Sequence, residues 1–183
     1  MNFEDVFRLL IGQFEKYNIR VALIGGMAMH TAGHSRATQD IDFLVAKDDV
    51  AKLKKLMASF GYDVLHESED VLNFAGRLKE LGQVDFLIAH RKYTQIILQK
   101  AAQQKVLDGQ FQIKVVRVED QIGLKVQSSS NDPKRYHQDL ADIEALMTAN
   151  QKTLDWEVLR EYFGLFDRVK ELEDIRKKIQ DAH

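Results

Sequence analysis

Asp40 and Asp42 stand one residue apart in the run TQDIDFLVA, and Asp85 lies in the run QVDFLIA with the same apolar–acid–apolar framing. Side chains two apart on a strand share a face, roughly 6.6–6.8 Å apart along it. Such a strand presents Asp40 and Asp42 on one side and Ile41, Phe43 and Val45 on the other. An unpaired buried charge is costly, so folding alone gives a strand no reason to carry that pair; a cation does. Mg²⁺ is the first choice for all-oxygen ligands. Three strand-borne carboxylates suit two ions about 3.5–4 Å apart, the clamp used for in-line phosphoryl transfer. For any one Asp alone, a strand end facing water is the better reading. The Asp-x-Asp pair with a third acid on a later strand favours the metal site.

The pair ends a stretch, Val21 to Val45, that reads as a buried strand, a Gly25-Gly26 turn, a short helix from Met27 to about Thr31, a polar loop and a second strand. A glycine turn feeding a helix presents backbone N–H groups to an anion. It is also common for steric reasons alone. Neither G-x-x-x-x-G-K-[ST] nor G-x-G-x-x-G occurs, so a P-loop or dinucleotide fingerprint does not apply. Arg36 offers a bidentate fork and Lys125 a point charge, both usual for phosphate. The competing readings are an i, i+4 partner of Asp40 for Arg36 and a solvated helix face for Lys125. Asp139 and Asp142, three apart on a helix, share a face, and Arg135 is equally placed for an ordinary helical ion pair with Asp139. His30 and His34 have i, i+4 spacing, but no Glu lies between them and Gly33 breaks the helix, which removes a zinc-protease reading.

The elements that must hold these residues follow from composition and pattern. At 183 residues, 45% hydrophobic and 30% charged, the chain is one ordinary domain, or one with a modest appendage. A net charge of −2 argues against avid nonspecific nucleic-acid binding. With no cysteine, disulfides, thiolate nucleophiles and Cys-rich zinc sites are excluded. The acidic MNFEDVFRLL start and the lack of a long apolar run make cytoplasmic residence, away from any membrane, the expectation.

Asn2 or Asp5 opens a first helix; helices are also expected at about 48–60 and 93–104, and strands at YDVLH, VLNFAGRL and QVDFLIA. Asp108-Gly109 marks a hairpin between KVL and FQIKVV. Glu119 and Asp120 favour the start of another helix, running through Lys125. SSSNDP is the most linker-like run and holds the only proline, with Asn131 or Asp132 as cap and Pro133 at the first helical position. Everything after it reads helical. We therefore expect a mixed α/β domain at about 1–127 and a helical region at about 128–183.

Taken together, Gly-Gly, an arginine-containing loop, T-x-D-I-D-F-L-V and V-D-F-L resemble the DNA polymerase β-like nucleotidyltransferase superfamily. The fuller run AMHTAGHSRATQDIDFLV, with VEDQIGLKVQ and DPKRYHQDLADIEAL, looks like its AbiEii-type branch, over about residues 20–147. The resemblance implies a twisted mixed sheet with packed helices. It implies Mg²⁺-dependent transfer of a nucleoside monophosphate from an NTP, two ions being usual and Mn²⁺ able to serve. Gly25 and Gly26 would hold the triphosphate, Asp40 and Asp42 the metal, and Asp85 would complete the metal site and take the proton of the attacking hydroxyl. Arg36 and Thr38 fall where the branch carries R-x-T, Lys125 on its later lysine, and Asp139 on its later acid, although Gln138 replaces the basic neighbour. Position 26 is Gly where many members have Ser. The acceptor implied is a protein, a tRNA or a small molecule, and toxins of the branch act beside an antitoxin partner. The alternative is a nucleotide-binding or protein-interaction module that keeps the fold without transfer.

Overall fold

The computed structural model describes residues 1–181. Its elements in order are α1 (Phe3–Lys16), β1 (Val21–Ile24), α2 (Gly25–Thr31), β2 (Asp40–Ala46), α3 (Val50–Ser59), β3 (Tyr62–Glu67), β4 (Val71–Gly76), β5 (Gln83–Ala89), α4 (Lys92–Lys100), β6 (Ala102–Val106), β7 (Phe111–Val115), α5 (Val118–Asn131), α6 (Tyr136–Asn150), α7 (Trp156–Gly164) and α8 (Val169–Asp181). The fold is mixed α/β, with the strands in one sheet of order β3-β4-β5-β2-β1-β7-β6. β2 runs parallel to β5 and β1 parallel to β7; the other neighbours are antiparallel. No helix among the described residues is long and apolar enough to cross a membrane.

The chain divides into two compact units. The first is Met1–Thr31 with Ser35–Arg117; the second is Ala32–His34 with everything from Val118 on. In the first, α1 buries Val6, Phe7, Leu10 and Phe14, and α3 buries Leu53, Leu56 and Met57. Both helices join one apolar cluster with Ile41, Phe43 and Val45 of β2 and Val84, Phe86 and Ile88 of β5. One face of the sheet is thus committed to the core, and the alternation of the strands delivers their acids to the other. In the second unit, α5 and α6 pack together and Ile122, Val126, Ile143, Leu146, Leu159 and Phe163 are buried.

Three expectations about local structure need correction. α2 begins at Gly25 itself, without a loop after β1. The helix expected to run to Gln104 stops at Lys100, because Ala102–Val106 pairs with β7 and completes the Asp108-Gly109 hairpin. Pairing with a neighbour outweighs local helix preference there. The serine run is not a linker: Ser129 and Ser130 donate to the carbonyls of Lys125 and Val126, at 2.8 and 2.7 Å, and continue α5 to Asn131. Hydroxyls that compete with a helix elsewhere can bond back along it in this way. Asp132 caps the following 3-10 turn, Pro133–Arg135, by accepting from the Lys134 N–H at 3.0 Å.

Candidate metal centre

β2 and β5 pair in register, so that Asp42 stands beside Asp85 and Asp40 beside Gln83. Behind them, on the core face, the rings of Phe43 and Phe86 stack with centroids 5.4 Å apart, and Phe14 from α1 meets Phe43 edge-on at 5.5 Å. The aromatic wall fixes both strands, and with them the height of each carboxylate above the sheet. One ligand oxygen from each of Asp40, Asp42 and Asp85 lies within 4.8 Å of the others, and all three residues are half-buried. Three carboxylates this close repel one another unless a cation sits among them. An all-oxygen donor set on half-buried carboxylates fits Mg²⁺ or a similar hard divalent ion.

Neighbouring groups hold the acids in place. Thr38 Oγ1 donates to Asp40 Oδ1 at 2.8 Å. The amide of Gln83 donates to both oxygens of Asp85 at 3.0 Å. Gly25 has φ +68°, and a Cβ there would overlap the Asp42 carboxylate. A Cβ on Gly26 would lie 2.8 Å from Thr38 Cβ and 2.9 Å from its hydroxyl. The two glycines therefore let β1 turn straight into α2 while Asp42 and Thr38 close down on the turn. A Ser at 26 would compete with Thr38 for the same space, and the Thr38 hydroxyl already stands there. Arg36, half-buried in the loop before Thr38, donates to the carbonyl of Ala37 at 3.1 Å. Gln83 carried no signal in the sequence beyond its place two before Asp85, which puts it on the same face.

Lys125 and Asp139 fall in the second unit. Lys125, 6% exposed, is no solvated lysine: its ammonium reaches Asp139 Oδ1 at 3.2 Å and Asp142 Oδ2 at 2.5 Å. Arg135 Nε lies 3.4 Å from Asp139 Oδ2, the helical ion pair weighed above. Gln138 donates to Asp142 Oδ1 at 3.1 Å, and His34 Nε2 is 3.7 Å from that oxygen. His30 is bound to the Ser35 hydroxyl at 2.6 Å, and Gly33 has φ +81° beyond the end of α2.

A groove of about 980 Å³ in the first unit opens at the other end of β2, around Val21 and Ala46, and is lined by Arg20, Asp49, Lys52 and several glutamines. None of the three acids borders it.

The family model described as "Uncharacterised nucleotidyltransferase" matches residues 3–163. No curated protein matches the chain. Among solved structures, the antibiotic-resistance factor ANT(2″)-Ia is similar at a TM-score of 0.63 and 14% identity, over 100% of both chains. A second structure of it, in complex with adenylyl-2″-tobramycin, gives 0.58 and 12%, over 97% of both. The lincosamide antibiotic adenylyltransferase LnuA, lincomycin-bound, gives 0.52 and 15%, over 78% of this chain and 97% of that one. At these identities the likeness is one of fold.

Proposed function

Because the chain belongs to the uncharacterised nucleotidyltransferase family, we propose that it transfers a nucleoside monophosphate from an NTP to a hydroxyl acceptor in a Mg²⁺-dependent reaction. The observation that carries this reading is the convergence of Asp40, Asp42 and Asp85 beside a Gly25-Gly26 turn. The acceptor oxygen forms a bond to the α-phosphorus as the bond to the β-phosphate oxygen breaks. The proton of the acceptor goes to Asp85 or through it to solvent, and pyrophosphate leaves. Such chemistry is mostly positioning and charge neutralisation. Ions bound by the three acids would supply the positive charge that the phosphates require. Gly25 and Gly26 let the triphosphate approach the backbone, Thr38 orients Asp40, and Arg36 offers its guanidinium. Lys125 and Asp139 are already paired with each other. To serve phosphate, that ammonium would exchange a carboxylate for a phosphate oxygen.

ANT(2″)-Ia bound to adenylyl-2″-tobramycin and LnuA bound to lincomycin support a small hydroxylated molecule as the first acceptor class. The AbiEii-like motifs support a second, a protein or tRNA hydroxyl with an antitoxin as partner. Incubating desalted cell extract with the protein, Mg²⁺ and each α-labelled NTP tests both. A small labelled product meets the first; protease- or nuclease-sensitive label meets the second. Nucleotide binding by calorimetry with no label on any acceptor would contradict transfer and leave the non-catalytic module.

A further inference from the structure

The register of the sheet adds a residue that no motif marks. Asn73 of β4 is paired with Asp85, which is paired with Asp42, which is paired with Ile24 at the foot of the glycine turn. Paired residues share a face. Leu72 and Phe74 are buried in the core cluster, so Asn73 belongs to the face that bears the acids. In an antiparallel pair the Cα atoms of Asn73 and Asp85 lie about 4.5–5.5 Å apart. The Asn73 amide makes no hydrogen bond to any described residue. Its neighbour Asp85 is held by Gln83, and its neighbour along the strand on the same face, Ala75, is small and leaves room.

In-line displacement places the attacking and leaving oxygens on opposite sides of the phosphorus. With the triphosphate at Gly25-Gly26 on the β1 side of the acids, the attacking hydroxyl must come from the other side, over β5 and β4. We infer that Asn73 is an acceptor-positioning residue: its amide hydrogen-bonds the acceptor and presents the hydroxyl to Asp85. This rests on the proposed transfer reaction. An uncharged amide with both a donor and an acceptor suits a hydroxyl-bearing ligand. It adds no charge that would compete for the metal or the nucleotide.

The test compares wild type, Asn73→Ala and Asn73→Ser in two assays, with circular dichroism to check that each is folded. The first assay is titration of ATP, CTP, GTP and UTP in Mg²⁺; the second is label transfer from the bound NTP across a dilution series of desalted extract. Losing one hydrogen bond to the acceptor lowers transfer about tenfold in Asn73→Ala. It also raises the extract concentration at half-saturation and leaves NTP affinity within about twofold. Asn73→Ser, which keeps a donor and an acceptor, recovers part of the loss. Transfer by Asn73→Ala at the wild-type rate overturns the inference and leaves the reaction standing. So does an NTP affinity reduced as much as transfer, which would put Asn73 on the nucleotide side or in a structural role. Wild type that binds NTP and labels nothing overturns the reaction, and the inference with it.

Discussion

At the scale of single residues, Asp40, Asp42 and Asp85 gather three carboxylates in one place. Their ligand oxygens lie within 4.8 Å of one another, and like charges that close repel. Replacing one should remove an oxygen ligand and function with it. Asp42→Asn is expected to stay folded and to lose NTP turnover, measured by label transfer beside circular dichroism; turnover at the wild-type level would mean that Asp42 holds no ion. Binding to the folded state alone adds RT ln(1 + [L]/Kd), about 2.7 kcal/mol at a hundredfold excess over Kd. Mg²⁺ should therefore raise the melting temperature of wild type and leave Asp42→Asn unmoved, which thermal scans with and without the ion would show. The acids could be read in the sequence because a strand's period of two singles them out among Ile41, Phe43, Val84 and Phe86. Gln83 and Asn73 could not: a neutral amide has no signature until the register of β2, β4 and β5 is known.

At the scale of elements, two anchors set the strands. Phe43, 1% exposed, is wedged among Phe7, Phe14 and Phe86. Phe43→Ala should cost about 3–5 kcal/mol and lower activity through β2, measurable by denaturant unfolding. At the start of β1, Asp49 accepts from the backbone N–H of Arg20 at 3.0 Å and from its guanidinium at 2.7 Å, and Lys52 adds a third donor at 3.2 Å. Burial pushes the Asp49 carboxyl up, but these bonds outweigh it and hold the group below its ordinary 3.8. A carboxyl depressed on folding contributes stability that is present above its unfolded value and lost as pH falls through the folded one. The advantage of wild type over Asp49→Asn should be full at neutral pH and shrink below pH 3.8; an advantage unchanged down to pH 2 on urea unfolding would contradict it. In the second unit, Lys125→Met leaves Asp139 and Asp142 buried without their ammonium and should cost about 3–5 kcal/mol. These helices were legible from their apolar spacing. β6 was legible only at its Lys105-Val106 end, from the Asp108-Gly109 hairpin signal; residues 102–104 have little strand character and become strand only by pairing with β7.

At the scale of the whole molecule, the family match over residues 3–163 spans both compact units. The sheet and its acids could be anticipated because Gly-Gly followed by Asp-x-Asp is a local pattern, readable in sequence before any long-range contact is known. Lys125 and Asp139 were harder, since in sequence Lys125 read as a phosphate cation or a solvated helix face, and Asp139 as a site acid or the ion-pair partner of Arg135. Only their burial separates these. The three acids carry the account, and one comparison tests them most directly: label transfer from α-labelled NTP in Mg²⁺ by wild type and by the Asp40→Ala, Asp42→Ala double variant, both shown to be folded. The account predicts transfer by wild type and none by the variant. Equal transfer by the two would contradict it.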